Sequence, residues 1–183
     1  MKINLFCSLL SSFVLLCCSS DGASVTSNSN GQKVKMSSTV LKIISTIPTY
    51  VPNKSERENA EIFLEKMYDK TDIELQSSET VEFVDQGENF DSVSCNLCGH
   101  KFEMEVWQTL VDKAHDQKFS ELRFVTPCCN KNTSLNDLIY VSPAGFAKFT
   151  ITIADPKSEM DQKSTTELER ILNTKVKSFW AHY

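Results

Sequence analysis

Polar and apolar positions alternate most regularly over residues 146–153, where Phe146, Lys148, Thr150 and Thr152 interleave with Ala147, Phe149, Ile151 and Ile153. A period of two predicts a half-buried strand, and Pro156 closes it. Residues 39–47 are β-branched and apolar up to Pro48, which predicts another strand. Further on the spacing becomes helical. Ile62, Phe63, Lys66 and Met67 follow one another at helical intervals, and Ala60 and Leu64 broaden the stripe. A helix is expected over 56–70, opened by a capping box of Ser55 and Glu58. Phe102, Val106, Leu110, Val111 and Ala114 lie near one face of a second helix, over 101–117. A third opens at the pair Ser164 and Glu167 and runs through Leu172.

Shorter strands are expected at 81–84 and at 119–126, the latter carrying Leu122, Phe124 and Val125 and stopped by Pro127. Residues 130–134 read as a polar turn, and the aromatic end of the chain, 176–183, reads as docked. Strands and helices in this order favour an α+β fold: a mainly antiparallel sheet with about three packed helices, interrupted by a zinc-ribbon-like pair of cysteine knuckles.

The start of the chain follows a different pattern. After Met1 and Lys2 comes an uncharged run, residues 3–18, and then a Ser/Asn/Gly-rich stretch to residue 32. The run is shorter than the roughly twenty residues of a membrane span and suits an export signal. Leu15, Cys17 and Cys18 with the polar tether behind them resemble a bacterial lipoprotein signal, which would place a lipid on Cys18. The position before that cysteine is usually small and is here Cys17. Ordinary cleavage near Ala23 is an alternative, as is a cytoplasmic protein whose translation starts at Met36. The expected organisation is a leader over 1–18, a flexible polar tether over 19–38 and a single domain over 39–183.

Composition narrows the partners. The chain of 183 residues has 19 Lys and Arg against 24 Asp and Glu, a net charge of −5. Phosphate contacts need clustered cations, so nucleic acid is excluded as a partner on charge. The expected partner is another protein, with a membrane tether only through Cys18.

Chemistry concentrates in the cysteines. Cys95 and Cys98 stand three apart, followed by Gly99 and His100; Cys128 and Cys129 are adjacent, preceded by Pro127. Two cysteines three apart can aim both sulfurs at one ion, and glycine just beyond permits the tight turn. Two such pairs in one body make a tetrahedral zinc site of Cys95, Cys98, Cys128 and Cys129. Neighbouring residues of a strand point to opposite faces, so the backbone must turn at Cys128 and Cys129 for both to bind. If only one does, His100 is the substitute ligand. Two disulfides, or a redox couple of Cys95 and Cys98, are the other readings. Four thiolates leave no open position for water, so the site is expected to be structural.

Other candidates are weaker. Cys128 activated by His115 would be a nucleophile, but His115 sits in a polar helical stretch. Asp85, Glu88 and Asp91 surround Gly87 without the order of a calcium loop. Asn136, Asp137 and Tyr140 could line an enzyme pocket; Asn136 and Asp137 could equally cap a turn. Trp180, His182 and Tyr183 are expected to pack. The sequence has no P-loop, no G-x-G-x-x-G, no G-x-S-x-G and no H-E-x-x-H.

In order, Cys95 and Cys98, Trp107, Pro127-Cys128-Cys129, the stretch SLNDLIY at 134–140, PAGFAKF at 143–149 and the aromatic tail resemble a family of uncharacterised bacterial zinc-ribbon-type proteins. The resemblance covers about residues 81–183. It implies a small zinc-ribbon-containing domain, mostly intracellular, with no agreed activity. Members usually lack a leader, and residues 1–35 depart from them in this. Together these features lean towards a non-enzymatic zinc-binding domain of protein-interaction, immunity or adaptor type. An enzyme with a pocket near Asn136, Asp137 and Tyr140, or a thiol oxidoreductase using Cys95 and Cys98, are the alternatives.

Overall fold

In the computed structural model, residues 39–68, 72–87 and 91–182 are described. The leader, the tether, Cys18 and the alternative start at Met36 lie outside these residues, as do Glu88 and Tyr183. Four strands form the main sheet: β1 (Thr39–Ser45), β2 (Ile73–Val84), β7 (Gly145–Ala154) and β8 (Val176–His182). Their order is β2-β7-β1-β8, and every neighbouring pair is antiparallel. The helices α1 (Lys54–Met67) and α3 (Gln162–Leu172) cover one face. Leu41, Ile43, Phe149, Ile151 and Ile153 from the sheet meet Ala60, Leu64, Leu168 and Leu172 from the helices in one buried cluster. The described part of the chain is thus α+β.

Between β2 and β7 the chain makes a second layer of structure. It contains β3 (Val93–Ser94), α2 (Met104–Asp116), β4 (Arg123–Val125), β5 (Asn132–Ser134), a single 3-10 turn (Leu135–Asp137) and β6 (Ile139–Tyr140). β3 pairs with β6 and β4 with β5, both antiparallel. These short pieces surround their own core of Val93, Cys95, Phe102, Trp107, Val111, Leu135, Leu138 and Phe146. Phe146 belongs to β7, so the second core is continuous with the main sheet. No helix among the described residues is long and apolar enough to cross a membrane.

Several expected boundaries move, each for a local reason. α1 is capped by Asn53, not Ser55. The Asn53 side chain accepts from the Glu56 amide at 2.9 Å, and the Glu56 carboxylate accepts from the Asn53 amide at 2.8 Å. Asn is at least as good an N-cap as Ser, and Glu three places on completes the box. α3 is capped by Asp161, whose carboxylate accepts from the Ser164 amide at 2.7 Å. Glu167 instead forms a fork with Arg170 at 2.9 and 2.6 Å.

α2 begins three residues later than expected because Lys101 bridges back to Ser94 and the Phe102 amide donates to Val93 O at 2.9 Å. The strand expected at 119–126 shrinks to Arg123–Val125, since Lys118 and Phe119 both take left-handed conformations on leaving α2. The expected turn at 130–134 is half strand, β5. The strand expected at 81–84 is the end of a strand of 12 residues, β2, whose register slips between Ser77 and Glu82.

Candidate metal centre

The four sulfurs expected to meet do meet. One ligand atom each from Cys95, Cys98, Cys128 and Cys129 lie within 4.8 Å of one another. Cys98 Sγ is 3.5 Å from Cys128 Sγ, and Cys95 Sγ is 3.9 Å from Cys129 Sγ. Four thiolates around an ion at about 2.3 Å form a tetrahedron with edges of about 3.8 Å, so these separations suit a single shared ion. They are too long for a sulfur–sulfur bond, and all four cysteines are free. This donor set, soft and tetrahedral, can hold a metal ion.

Each sulfur is placed by a tight loop at the end of a strand. In the first loop the Cys95 amide donates to His100 O at 2.8 Å, and the Gly99 amide donates to Cys95 O at 2.9 Å. Gly99 has φ of 73°, a conformation that costs glycine nothing. The Leu97 amide points at Cys95 Sγ from 3.4 Å. In the second loop the Thr126 hydroxyl lies 3.0 Å from Cys129 Sγ and accepts from the Lys131 amide at 3.1 Å. The two loops are tied directly, the Thr133 hydroxyl donating to Asn96 Oδ1 at 2.8 Å.

The backbone turns between Pro127 and Asn130, which answers how adjacent Cys128 and Cys129 reach one point. His100 is not in the cluster; its exposed ring stands edge-on to Phe102, 6.1 Å between centroids.

Electrostatics in the metal-free cluster is uneven. Burial pushes the Cys95 thiol up, but hydrogen bonds from the Leu97 and Cys98 amides and the Cys98 and Cys128 side chains outweigh it and bring it down to about 7. Cys128 goes the other way. Burial, hydrogen bonds with Cys98, Cys95 and Cys129, and the charge on Cys95 push it up to about 12. One thiolate is welcome here and further ones repel it, so the full four-thiolate state needs a cation at its centre. A redox couple of Cys95 and Cys98 would need an accessible low-pKa thiolate as attacker. Cys95 is fully buried, and the exposed partner is Cys98.

Asn136, Asp137 and Tyr140 do not converge on a cleft. Asn136 Oδ1 accepts from the Phe146 amide at 3.1 Å and from Lys177 Nζ at 3.0 Å, and its Nδ2 donates to Thr46 O at 3.1 Å. Asn136 therefore joins the 3-10 turn to β7, β8 and the end of β1. Asp137 is exposed. The Tyr140 hydroxyl donates to Leu135 O at 2.7 Å, and its ring packs 6.4 Å from that of Phe83. Burial drives its pKa far above the usual tyrosine value, against a hydrogen bond with Trp107 that lowers it. His115 is exposed and stands edge-on to Phe119 at 5.6 Å.

The residue that sequence reasoning passed over is Thr126. It is 1% exposed and touches a ligand sulfur. Its signal was present, because Thr126 and Cys129 are spaced like Cys95 and Cys98.

Comparison with family models, with curated proteins and with solved structures finds no match. The chemistry of the centre must therefore carry the reading of function.

Proposed function

We propose that the domain is a non-enzymatic protein-interaction module whose fold is stabilised by one zinc ion on Cys95, Cys98, Cys128 and Cys129. The observation that carries this is the set of four sulfurs within 4.8 Å of one another. Four thiolates close the coordination shell and leave no position for a substrate or an activated water. Zinc is preferred because a lone tetrahedral four-thiolate site takes zinc or iron, and zinc asks for no electron-transfer partner. Asn136 and Tyr140, the residues of the rival enzyme pocket, turn their polar atoms to backbone and to Lys177.

The interaction role rests on apolar side chains beside the metal loops. Leu97 at the tip of the first loop is 41% exposed, and Val125 at the entry to the second is 53% exposed. Kinship with bacterial zinc-ribbon-type proteins, export of the chain, a lipid on Cys18 and an immunity or adaptor role belong to the same proposal. They rest on sequence pattern alone.

The test is metal analysis of the chain purified in reducing, chelator-free buffer. One zinc per chain, lost together with structure in Cys95→Ser, supports the reading. Iron in its place, or no metal with a reversible disulfide between Cys95 and Cys98, overturns it in favour of redox chemistry. For the interaction role, a Leu97→Asp/Val125→Asp variant should keep its zinc and lose a partner that the unaltered chain captures.

A further inference from the structure

The two metal loops have the same backbone, and their ligands do not match. In the first, the amide of Cys95 donates to the carbonyl of His100, and the amide of Gly99 donates to the carbonyl of Cys95, at 2.8 and 2.9 Å. In the second, the amide of Thr126 donates to the carbonyl of Lys131, and the amide of Asn130 to the carbonyl of Thr126, both at 2.9 Å. The fifth residue of each loop is left-handed, Gly99 at φ 73° and Asn130 at φ 55°. Each loop is closed by an antiparallel pair, Ser94 with Lys101 and Val125 with Asn132.

This common frame puts Cys98 over Cys129 and Cys95 over Thr126. It also puts the apolar tip residue Leu97 over Cys128. Cys95 and Thr126 are the buried first residues of their loops, 0% and 1% exposed. The Thr126 hydroxyl sits 3.0 Å from Cys129 Sγ, inside the loop, where the partner sulfur of a regular knuckle would stand. The fourth sulfur comes instead from the tip position, with Cys128 Sγ 3.5 Å from Cys98 Sγ.

We infer that position 126 is a metal-ligand position of this fold which the chain fills with threonine, that the Thr126 hydroxyl positions the Cys129 sulfur, and that Cys128 is a displaced ligand supplying the missing thiolate from the loop tip. This inference rests on the four-cysteine reading of the centre. Its physical consequence is that the two positions are exchangeable. A sulfur at position 126 starts from a backbone already shaped like that of Cys95, whereas Cys128 must reach in from a site built for an exposed side chain. Given both, the ion takes the sulfur at position 126 and releases Cys128.

The test uses the full chain loaded with Co(II), whose absorption counts thiolate ligands, followed by alkylation and mapping of the modified cysteines. The unaltered chain should show a four-thiolate spectrum with all four cysteines of the centre protected. If it takes up no metal on them, the four-cysteine reading fails, which is a different result from failure of the present inference.

Thr126→Cys removes no thiolate, though it exchanges the hydroxyl that accepts from the Lys131 amide for a sulfur, so its fold is checked first by circular dichroism. It should keep the four-thiolate spectrum while Cys128 becomes open to alkylation. Protection of Cys128 with labelling of the introduced thiol overturns the inference. Cys128→Ser should weaken binding by more than the roughly 10–100-fold typical of losing an outer-shell partner, and Thr126→Cys/Cys128→Ser should return it to within about tenfold of the starting affinity. Equal weakness of the two variants also overturns it. Thr126→Val, which keeps shape and loses the hydroxyl, should lower affinity about tenfold with the thiolate count unchanged.

Discussion

Asn136 shows how a single side chain can join two parts of a fold. Its amide holds Thr46 just past β1, Phe146 from β7 and Lys177 from β8, residues far apart in the chain. Lys177 is partly buried; burial lowers its pKa, and the charge of Asp137 works against that. Gly145 makes room for it, since a Cβ there would stand 2.6 Å from Lys177 Nζ and 2.7 Å from Ile44 Cδ1.

Asn136→Ala strands a backbone amide and an ammonium together, and should cost about 2–3 kcal/mol in urea unfolding. Gly145→Ala displaces the same ammonium and should cost about 1–3 kcal/mol. Because both act on Lys177, the double variant should lose less than the two costs added. Strict additivity would show that Asn136 and Lys177 do not work as a unit. The sequence marks Asn136 as a polar residue among apolar anchors, and that much is legible. Its three partners are not, because nothing local ties position 136 to positions 46, 146 and 177.

The cysteines give a second prediction at this scale. In the metal-free cluster hydrogen bonds bring Cys95 down to about 7, while the Cys128 thiol is pushed up to about 12 by burial and by its hydrogen bonds with the other cysteines. Binding an ion to Cys128 must therefore expel a proton at any pH below that. Apparent zinc affinity should rise about tenfold per pH unit from this thiol alone, in chelator competition between pH 7 and 9. A flat profile would mean that Cys128 is already a thiolate or is not a ligand.

At the scale of elements, the legible features were those with a strong period. Residues 146–153 alternate and become β7, the two apolar stripes become α1 and α2, and the helix expected through Leu172 becomes α3. β2 was read only at its end; Ile73 and Leu75 alternate with Glu74 and Gln76, but Ser77, Ser78, Glu79 and Thr80 break the pattern where the register slips, and as an edge strand it is half solvent-facing. Helix starts were missed by two or three residues. Several Ser, Asn, Asp and Glu crowd the starts of α1 and α3, and only geometry decides which one caps; α2 starts late because Lys101 and Phe102 pair back to β3.

α3 makes the cap testable. Hydrogen bonds from the Ser164 amide and side chain hold the Asp161 carboxyl below its usual value. A depressed pKa adds stability above the unfolded value of about 3.9 and loses it as pH falls through the folded value. Asp161→Asn keeps a cap without a charge. The unaltered chain should therefore exceed this variant in urea midpoint at pH 7, and the gap should narrow progressively as pH falls below the unfolded value of about 3.9 and through the depressed folded one. A gap that persists in acid would assign the cap's contribution to shape and not to ionisation.

Across the described residues two cores share one sheet, and only one of them contains the four-cysteine cluster. The sheet core is built from Leu41, Ile43, Ile151, Leu64 and Leu168, on long strands and two helices. The core around the metal loops rests on α2 and on Val81 and Phe146 of the main sheet, but its own strands have only two or three residues and are marginal without outside support. Cys95 is itself a member of that second core, so on the proposed reading an ion bound there would pin the loops and the packing together. Zinc in small structural sites contributes about 10–16 kcal/mol of apparent binding energy, which in such domains is folding energy.

Chelation should therefore open residues 91–142 and leave the sheet core closed. In hydrogen exchange, the amides of Val93, Phe102 and Thr133 should lose protection in excess chelator while those of Ile43 and Ile151 keep theirs. Phe146 and Asn136 are the links through which opening could spread. Simultaneous loss in both cores would make them one cooperative unit joined at those residues, and would refute the division. Unchanged protection in both would refute the structural role of the metal instead, because a structural ion cannot be removed from the loops that it holds without the amides around it exchanging faster.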